Sequence, residues 1–526
     1  QLCRQNIKMT SMQSKGRLLL FLAFLSAIIP VMLMRDFTPG NELRYLSIAD
    51  EALRDHHFFA FYNHGLAYAD KPPLYMWLVM LSRVVFGTHS ILALSLLSVV
   101  PALGVVCVMD SWTRNEMDGP TRSLARMMLL TSGLFTGVAL IVRMDMLMCL
   151  FIVLALRSFW RMYTEESAYA GERWPFPVYL FLAVFTKGPL GLLIPLCSIC
   201  TYLVIVRRPR LIPVVWGWRT WSVLVAGCAL WWGLTCHEAG TAYLRNLLFH
   251  QTIDRAIHAF HHEEPFYYYA RCIWFCMAPW VLFVVASIAS ALRRGVVRSR
   301  LHTFLIVASL SSLVMISSLS GKLEIYMLPV IPLMVYAAAI YMPRASDEWW
   351  YRPALAILAF PALALTHCAG LLGQALSQQS DIVLIYLAAL VLTLCGIASL
   401  RRVSHAIPLI TRGVLAAIFI ASFALPAFNS RIGYRAVCAQ VQAMSCRTGI
   451  THIAAWRVKN AADMDVYLHR STDVVPQEAD PMTYYTTPTL MVVPGGGRGV
   501  YTVRVCRGGG RSERSVAQSG PLNPQR

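Results

Sequence analysis

Leu18-Leu-Leu-Phe-Leu-Ala-Phe-Leu-Ser-Ala-Ile-Ile-Pro-Val-Met-Leu-Met34, followed by Pro39-Gly-Asn-Glu-Leu-Arg-Tyr45 and then Tyr68-Ala-Asp-Lys-Pro-Pro-Leu-Tyr-Met-Trp77, is the stretch that decides the fold. Its first part carries no charge and is long enough, at about 1.5 Å per residue, to cross most of a hydrocarbon core about 30 Å thick. Directly behind it lies a polar loop with Glu42, Arg44, Asp70 and Lys71. A membrane span followed by clustered charge predicts chemistry at a membrane surface.

The rest of the chain extends this pattern. It is 57% hydrophobic and 14% charged, with mean hydropathy +0.54, outside the range of soluble domains. Apolar segments fall at 18–34, 89–109, 124–142, 146–162, 176–186, 189–206, 216–236, 267–292, 302–319, 327–342, 354–372, 382–400 and 408–428, about 13 transmembrane helices by length. The run 72–86, bounded by a proline pair and carrying Arg83, is too short to span and is expected in the interface. Residues 43–53 place Leu43, Leu46, Ile48, Ala49 and Leu53 on one face of a second interfacial helix. No cleavable signal is expected, because the first apolar segment lacks a small-x-small site and many more follow. The expected fold class is therefore an all-α polytopic membrane protein.

The net charge of +19 reflects topology and excludes a nucleic-acid-binding domain, since Lys and Arg sit at the ends of apolar runs. With Lys15 and Arg17 on the cytoplasmic side, alternate connections are basic: Arg114, Arg122 and Arg126; Arg157 and Arg161; Arg207, Arg208 and Arg210; Arg293, Arg294, Arg298 and Arg300; Arg344 and Arg352; Arg401, Arg402 and Arg412. This register puts the N-terminus in the cytoplasm. The loops 35–71 and 237–265, the turns Arg143–Asp145 and Gly321–Tyr326, Lys187 and everything after Asn429 then face outward, to the periplasm of a bacterial inner membrane.

A membrane region of 1–428 is followed by residues 429–526 of ordinary polarity. Strand-like runs at 450–458 and 490–493 and a helical run at 434–444 predict a small C-terminal α/β domain, and the Gly-rich, Ser-rich tail from Gly495 reads as partly disordered. Nine of the fourteen cysteines, Cys107, Cys149, Cys197, Cys200, Cys228, Cys272, Cys276, Cys368 and Cys395, lie in apolar runs and read as packing. Cys438, Cys446 and Cys506 permit one disulfide without specifying its pairing.

The outward loops gather Lys71, Asp145, Lys187, Arg255, Lys322, Tyr326 and the run His261-His-Glu-Glu264 on one side. Lysines and arginines neutralise phosphate, a tyrosine hydroxyl adds a directional donor, and the same cations stabilise charge developing on a phosphate leaving group. The bland alternative is that each group snorkels or pairs at the interface. No P-loop or dinucleotide fingerprint is present, which argues against a nucleotide-sugar donor.

Six short motifs in this order carry a family resemblance: Asn41-Glu-Leu-Arg-Tyr45, Asp70-Lys-Pro72, Asp145 at a helix mouth, Thr186-Lys-Gly-Pro189, His262 to Tyr269, and Gly321-Lys-Leu-Glu-Ile-Tyr326. From about Leu18 to Phe428 the chain resembles the polyprenyl-phosphate-sugar-dependent glycosyltransferases of the GT-C class, the group of the aminoarabinose lipid A transferase and the bacterial relatives of protein mannosyltransferases. The resemblance implies that Lys71, Arg255 and Tyr326 hold the donor's phosphate. Lys187 and Lys322 either extend this cationic surface or anchor helix ends. Asp70 and His262 match positions associated with a divalent metal, zinc or similar, although two ligands fall short of the three or four that zinc takes. Asn41 stands where the family has aspartate; an amide is no general base, so Glu42 or Asp145 would supply any needed carboxylate. The implied acceptor is lipid A or a related glycolipid, with a protein Ser/Thr hydroxyl as the alternative. A lipid or solute transporter is the reading from another class, disfavoured because the charges gather at one surface and no repeat is visible.

Overall fold

The computed structural model describes residues 2–165, 170–248, 264–294, 299–345, 347–357, 379–496 and 499–506. It divides into two compact units, one comprising 1–35 and 44–428 and the other 36–43 and 429–526.

The first unit is helical. Six of its described helices are long and apolar enough to cross a membrane, Lys15–Met34, Ile91–Trp112, Asp145–Thr164, Arg300–Ser318, Ser380–Arg401 and Val403–Ser422, and nine spans result if each of three bent pairs counts as one. The expected count of about 13 is not reached among the described residues. Three expected spans are shorter apolar helices, Pro175–Lys187, Leu190–Ile205 and Val330–Ala345, and most of the segment 354–372 lies outside the described residues. The runs 43–53 and 72–86 form the helices Glu42–Asp55 and Leu74–Phe86.

Two expected straight spans are corrected. Residues 124–142 belong to Gly119–Leu130 and Gly133–Leu140, bent by 61°, and residues 267–292 form Tyr268–Cys276 and Val281–Arg293, bent by 120°. The two breaks meet. Gly133 N–H donates to the Ala278 carbonyl at 2.8 Å, and Trp280 Nε1 donates to Thr131 Oγ1 at 2.9 Å. Each break thereby satisfies backbone and side-chain groups of the other, the condition under which interrupted helices persist in a bilayer. Glycine is required at 133: a Cβ there would stand 2.6 Å from the Phe275 carbonyl oxygen.

The second unit is a four-stranded sheet in the order 473–475, 453–456, 489–494, 501–506, with the first three strands parallel and the last antiparallel, together with the helix Arg435–Thr448. Buried Asp36 joins the early segment to it: Asp36 N–H donates to Asn429 Oδ1 at 3.0 Å, Arg435 N–H donates to Asp36 Oδ2 at 2.9 Å, and the Tyr467 hydroxyl donates to Asp36 Oδ1. Cys438, Cys446 and Cys506 are all free thiols, so no bridge forms among them.

Candidate functional site

Asp145 opens the helix Asp145–Thr164 and is 1% exposed. A carboxylate at a helix N-terminus is favoured by the dipole, but burial demands partners as well. Arg143 Nε donates to its Oδ2 at 3.1 Å, and Lys187 Nζ donates to Oδ1. Lys187 is the last residue of Pro175–Lys187, and Gly188 follows at φ 114° and ψ −152°, a turn open only to glycine. The ammonium of Lys187 also lies 4.8 Å from the centroid of the Tyr326 ring, a cation–π contact.

Lys71 reaches the same place from the first loop. Trp77, on the helix that follows it, packs edge-on against Phe185 at 5.4 Å, which docks Leu74–Phe86 on Pro175–Lys187. Lys71 and Lys187 are then close enough for their charges to repel. Lys71 Nζ is itself 3.0 Å from Asp70 Oδ2, and the Tyr68 hydroxyl donates to the same oxygen at 3.4 Å. The Arg44 guanidinium lies beside Tyr68 in turn, linking the first motif to the second.

Tyr45 lies among these charges. Burial pushes its phenol up to about 12, with Asp145 and Asp70 adding to the shift and Arg143 and Arg44 opposing it. It therefore stays a neutral hydrogen-bond donor at working pH and cannot serve as a base. Tyr45 and Arg143 were not singled out in the sequence, although both stand inside quoted motifs. Other residues that reasoning missed brace the loop. Glu238 accepts from Phe58 N–H at 2.6 Å and Phe59 N–H at 2.7 Å, and Glu51 accepts from His64 N–H at 2.7 Å and Gly65 N–H at 2.8 Å. A carboxylate in an amphipathic or apolar helix was the signal available for both.

Lys322 is 5% exposed and donates to the carbonyls of Glu264 at 2.7 Å and Leu319 at 2.6 Å, while the Tyr269 hydroxyl donates to the Leu323 carbonyl at 3.1 Å. These bonds stitch the fifth motif to the sixth and give Lys322 an anchoring task. Glu42 and Asn41 belong to the second unit. Glu42 is buried and its Oε2 accepts from Thr38 N–H at 2.8 Å and Thr38 Oγ1 at 2.9 Å, whereas Asn41 is exposed. Arg255 and His262 lie outside the described residues. Among the described residues no group of three His, Cys, Asp or Glu gathers to hold a metal, so Asp70 is the single described member of the expected pair.

The structure thus brings together Lys71, Arg143, Lys187 and Tyr326 around Asp145, with Tyr45 and Asp70 alongside. Three cations against two carboxylates suit an anionic group, and the carboxylates hold the cations in fixed positions before it arrives.

In fold the chain is similar to solved membrane proteins of the GT-C type. The particular likeness is to ArnT: the crystal structure of ArnT from Cupriavidus metallidurans bound to undecaprenyl phosphate matches with a TM-score of 0.74 at 17% identity, over 91% of this chain and 93% of that one. An oligosaccharyltransferase of Archaeoglobus fulgidus matches more distantly, with a TM-score of 0.50 at 12% identity over 90% of this chain and 65% of that one. In sequence, the chain is 27% identical over 316 residues to an undecaprenyl phosphate-alpha-4-amino-4-deoxy-L-arabinose arabinosyl transferase of Shewanella sediminis, covering 58% of this chain and 56% of the relative. A transferase of the same description from Pseudomonas fluorescens is 24% identical over 474 residues, 84% of this chain and 80% of the relative. The chain spans just over half the length of the first curated relatives it matches, 56% and 52%. No family model matches it.

Proposed function

We propose that this protein is an integral membrane glycosyltransferase that moves a sugar from an undecaprenyl-type phosphate carrier to lipid A or a related glycolipid at the periplasmic face of the bacterial inner membrane. The observation that carries the reading is the buried Asp145 ion-paired to Lys187 and Arg143, with Lys71 and Tyr326 beside it, in the fold of a protein crystallised with undecaprenyl phosphate.

In this reading the bond between the anomeric carbon and the carrier's phosphate oxygen breaks as a bond from that carbon to an acceptor oxygen forms. The carrier leaves as a phosphate monoester bearing one more negative charge. Lys71, Lys187 and Arg143 stabilise that charge, and Tyr326 and Arg255 complete the phosphate's surroundings. Asp145 orients its two cations and is not itself the base. Glu42, next to exposed Asn41, is the carboxylate for a hydroxyl acceptor; a phosphate acceptor, already ionised near neutral pH, needs none and suits the amide at position 41. Asp70 and His262 are the two ligands this reading offers a divalent metal, and no step is routed through one.

The test is transfer by protein in proteoliposomes from radiolabelled undecaprenyl-phosphate sugar, with lipid A in one arm and a Ser/Thr peptide in another. Label in lipid A supports the reading. Label in the peptide alone replaces the acceptor, and no label in either, with label moved across the bilayer instead, identifies a transporter. Transfer that survives EDTA removes the metal alone.

A further inference from the structure

A second polar cluster lies near the other end of the helix bundle, away from the motifs. Asp110, near the end of Ile91–Trp112, is 3% exposed. Arg126 Nη1 lies 3.2 Å from its Oδ1, Arg122 Nη1 3.3 Å from Oδ2, and Arg17 Nη1 3.8 Å from Oδ2. Arg122 and Arg126 are themselves buried, at 7% and 4% exposure, whereas the Arg17 side chain is 39% exposed and forms the open side.

One carboxylate cannot balance three guanidinium groups. A lysine could shed its proton on burial, but arginine keeps its charge, so even with Arg122 set aside, Arg17 and Arg126 against Asp110 leave an excess of positive charge in a place where unbalanced charge is strongly unfavourable. Its donors are also unspent. Arg126 Nε and the hydroxyl of completely buried Tyr336 have no hydrogen-bond acceptor, and Tyr336 stands within the electrostatic reach of Asp110, Arg126 and Arg122. An anion with several acceptor oxygens, matched to the fork of a guanidinium, answers both deficits.

We infer that Arg17, Arg122 and Arg126, with Tyr336, form a binding site for a phosphate group, entered past Arg17 and separate from the transfer site. The phosphate is either the headgroup of an anionic phospholipid or free inorganic phosphate.

The full chain in phosphatidylcholine nanodiscs tests this by its Tm, titrated with phosphatidylglycerol in one arm and with inorganic phosphate, at matched ionic strength, in the other. A saturable rise in the lipid arm alone assigns a headgroup, a rise in the phosphate arm alone assigns the free anion, and both support the site. Arg17→Gln and Arg126→Gln are expected to move the midpoint to about tenfold higher ligand, the loss of one charge-assisted hydrogen bond. Exposed Arg17 carries the test should Arg126→Gln fail to fold. No rise in either arm overturns the inference. So does a rise whose midpoint stays put in Arg17→Gln, because a structural staple would lower Tm equally with and without the anion.

Discussion

The two clusters are built alike and placed apart. Asp145 begins a helix and holds Arg143 and Lys187; Asp110 nearly ends a neighbouring helix and holds Arg17, Arg122 and Arg126. Their surroundings differ. Arg17 and Arg126 stand inside helices, and Arg122 stands in the first turn of the helix that carries Arg126. The cations around Asp145 come from loops and helix ends: Arg143 precedes a helix, Lys187 finishes one, and Lys71 lies in the first long loop. The helix-end cations Arg143 and Lys187 are held by their ion pairs with Asp145, whereas Arg126 is held by the helix that carries it. A leaving phosphate, whose charge grows during the reaction, is served by cations preset against a carboxylate; a resident anion is served by guanidiniums carried within helices.

Lys71→Ala breaks the comparison most severely. If the Asp145 cluster serves a leaving phosphate, this substitution removes one cation from a site of developing charge and lowers transfer about 10²- to 10³-fold, with Tm nearly unchanged because the lysine is partly exposed. An undiminished rate in the proteoliposome assay would strip the cluster of its catalytic meaning.

Asp145→Asn comes next. It leaves Arg143 and Lys187 without their carboxylate, and breaking one side of a buried pair costs about 3 kcal/mol, read as a fall in Tm. Asp110→Asn should cost less whenever anion is bound, because the anion takes over the balancing charge. Equal losses with and without anion would mean that the two clusters are the same kind of staple.

Much of the Asp145 cluster was legible because its members lie in short linear motifs. Asp70-Lys-Pro72, Asp145, Thr186-Lys and Gly321 to Tyr326 each place a charged or aromatic residue next to a helix end, where no packing role competes to explain it. The Asp110 cluster was hidden for the opposite reason. Arg17, Arg122 and Arg126 read as ordinary inside-facing positive charge, and nothing local says that they converge on one aspartate. Hydropathy likewise counts apolar residues and is blind to direction, so the bends at 131–132 and 277–280 passed as straight spans; Gly133 and Pro279 were the only marks of them.

The bend at Gly133 tests whether the clusters depend on one shared scaffold, since it joins the helix carrying Arg122 and Arg126 to the segment leading to Arg143. Gly133→Ala would push a methyl against the Phe275 carbonyl oxygen, 2.6 Å away, and overpacking of this kind costs about 1–3 kcal/mol. Tm should fall, and both transfer and anion-dependent stabilisation should weaken together. Loss of one alone would show that the break serves a single cluster.

The smallest effect belongs to Asp50, on the helix Glu42–Asp55, which pairs with Arg83 Nε at 3.0 Å and His89 Nε2 at 2.9 Å. Burial acts to raise its pKa, but the bonds and charges of His89 and Arg83 outweigh it and the carboxyl titrates below its usual value. A depressed folded pKa means that the unfolded chain takes up the proton first, so the stabilisation is present above about pH 4 and lost as pH falls further. Asp50 is 31% exposed, which limits the contribution to about 0.5 kcal/mol. Asp50→Asn should therefore lower Tm slightly at pH 7 and erase its difference from wild type in acid. No difference at pH 7 would mean that the helix is held to Leu74–Phe86 by packing alone, and the mouth of the Asp145 cluster would owe nothing to this pair.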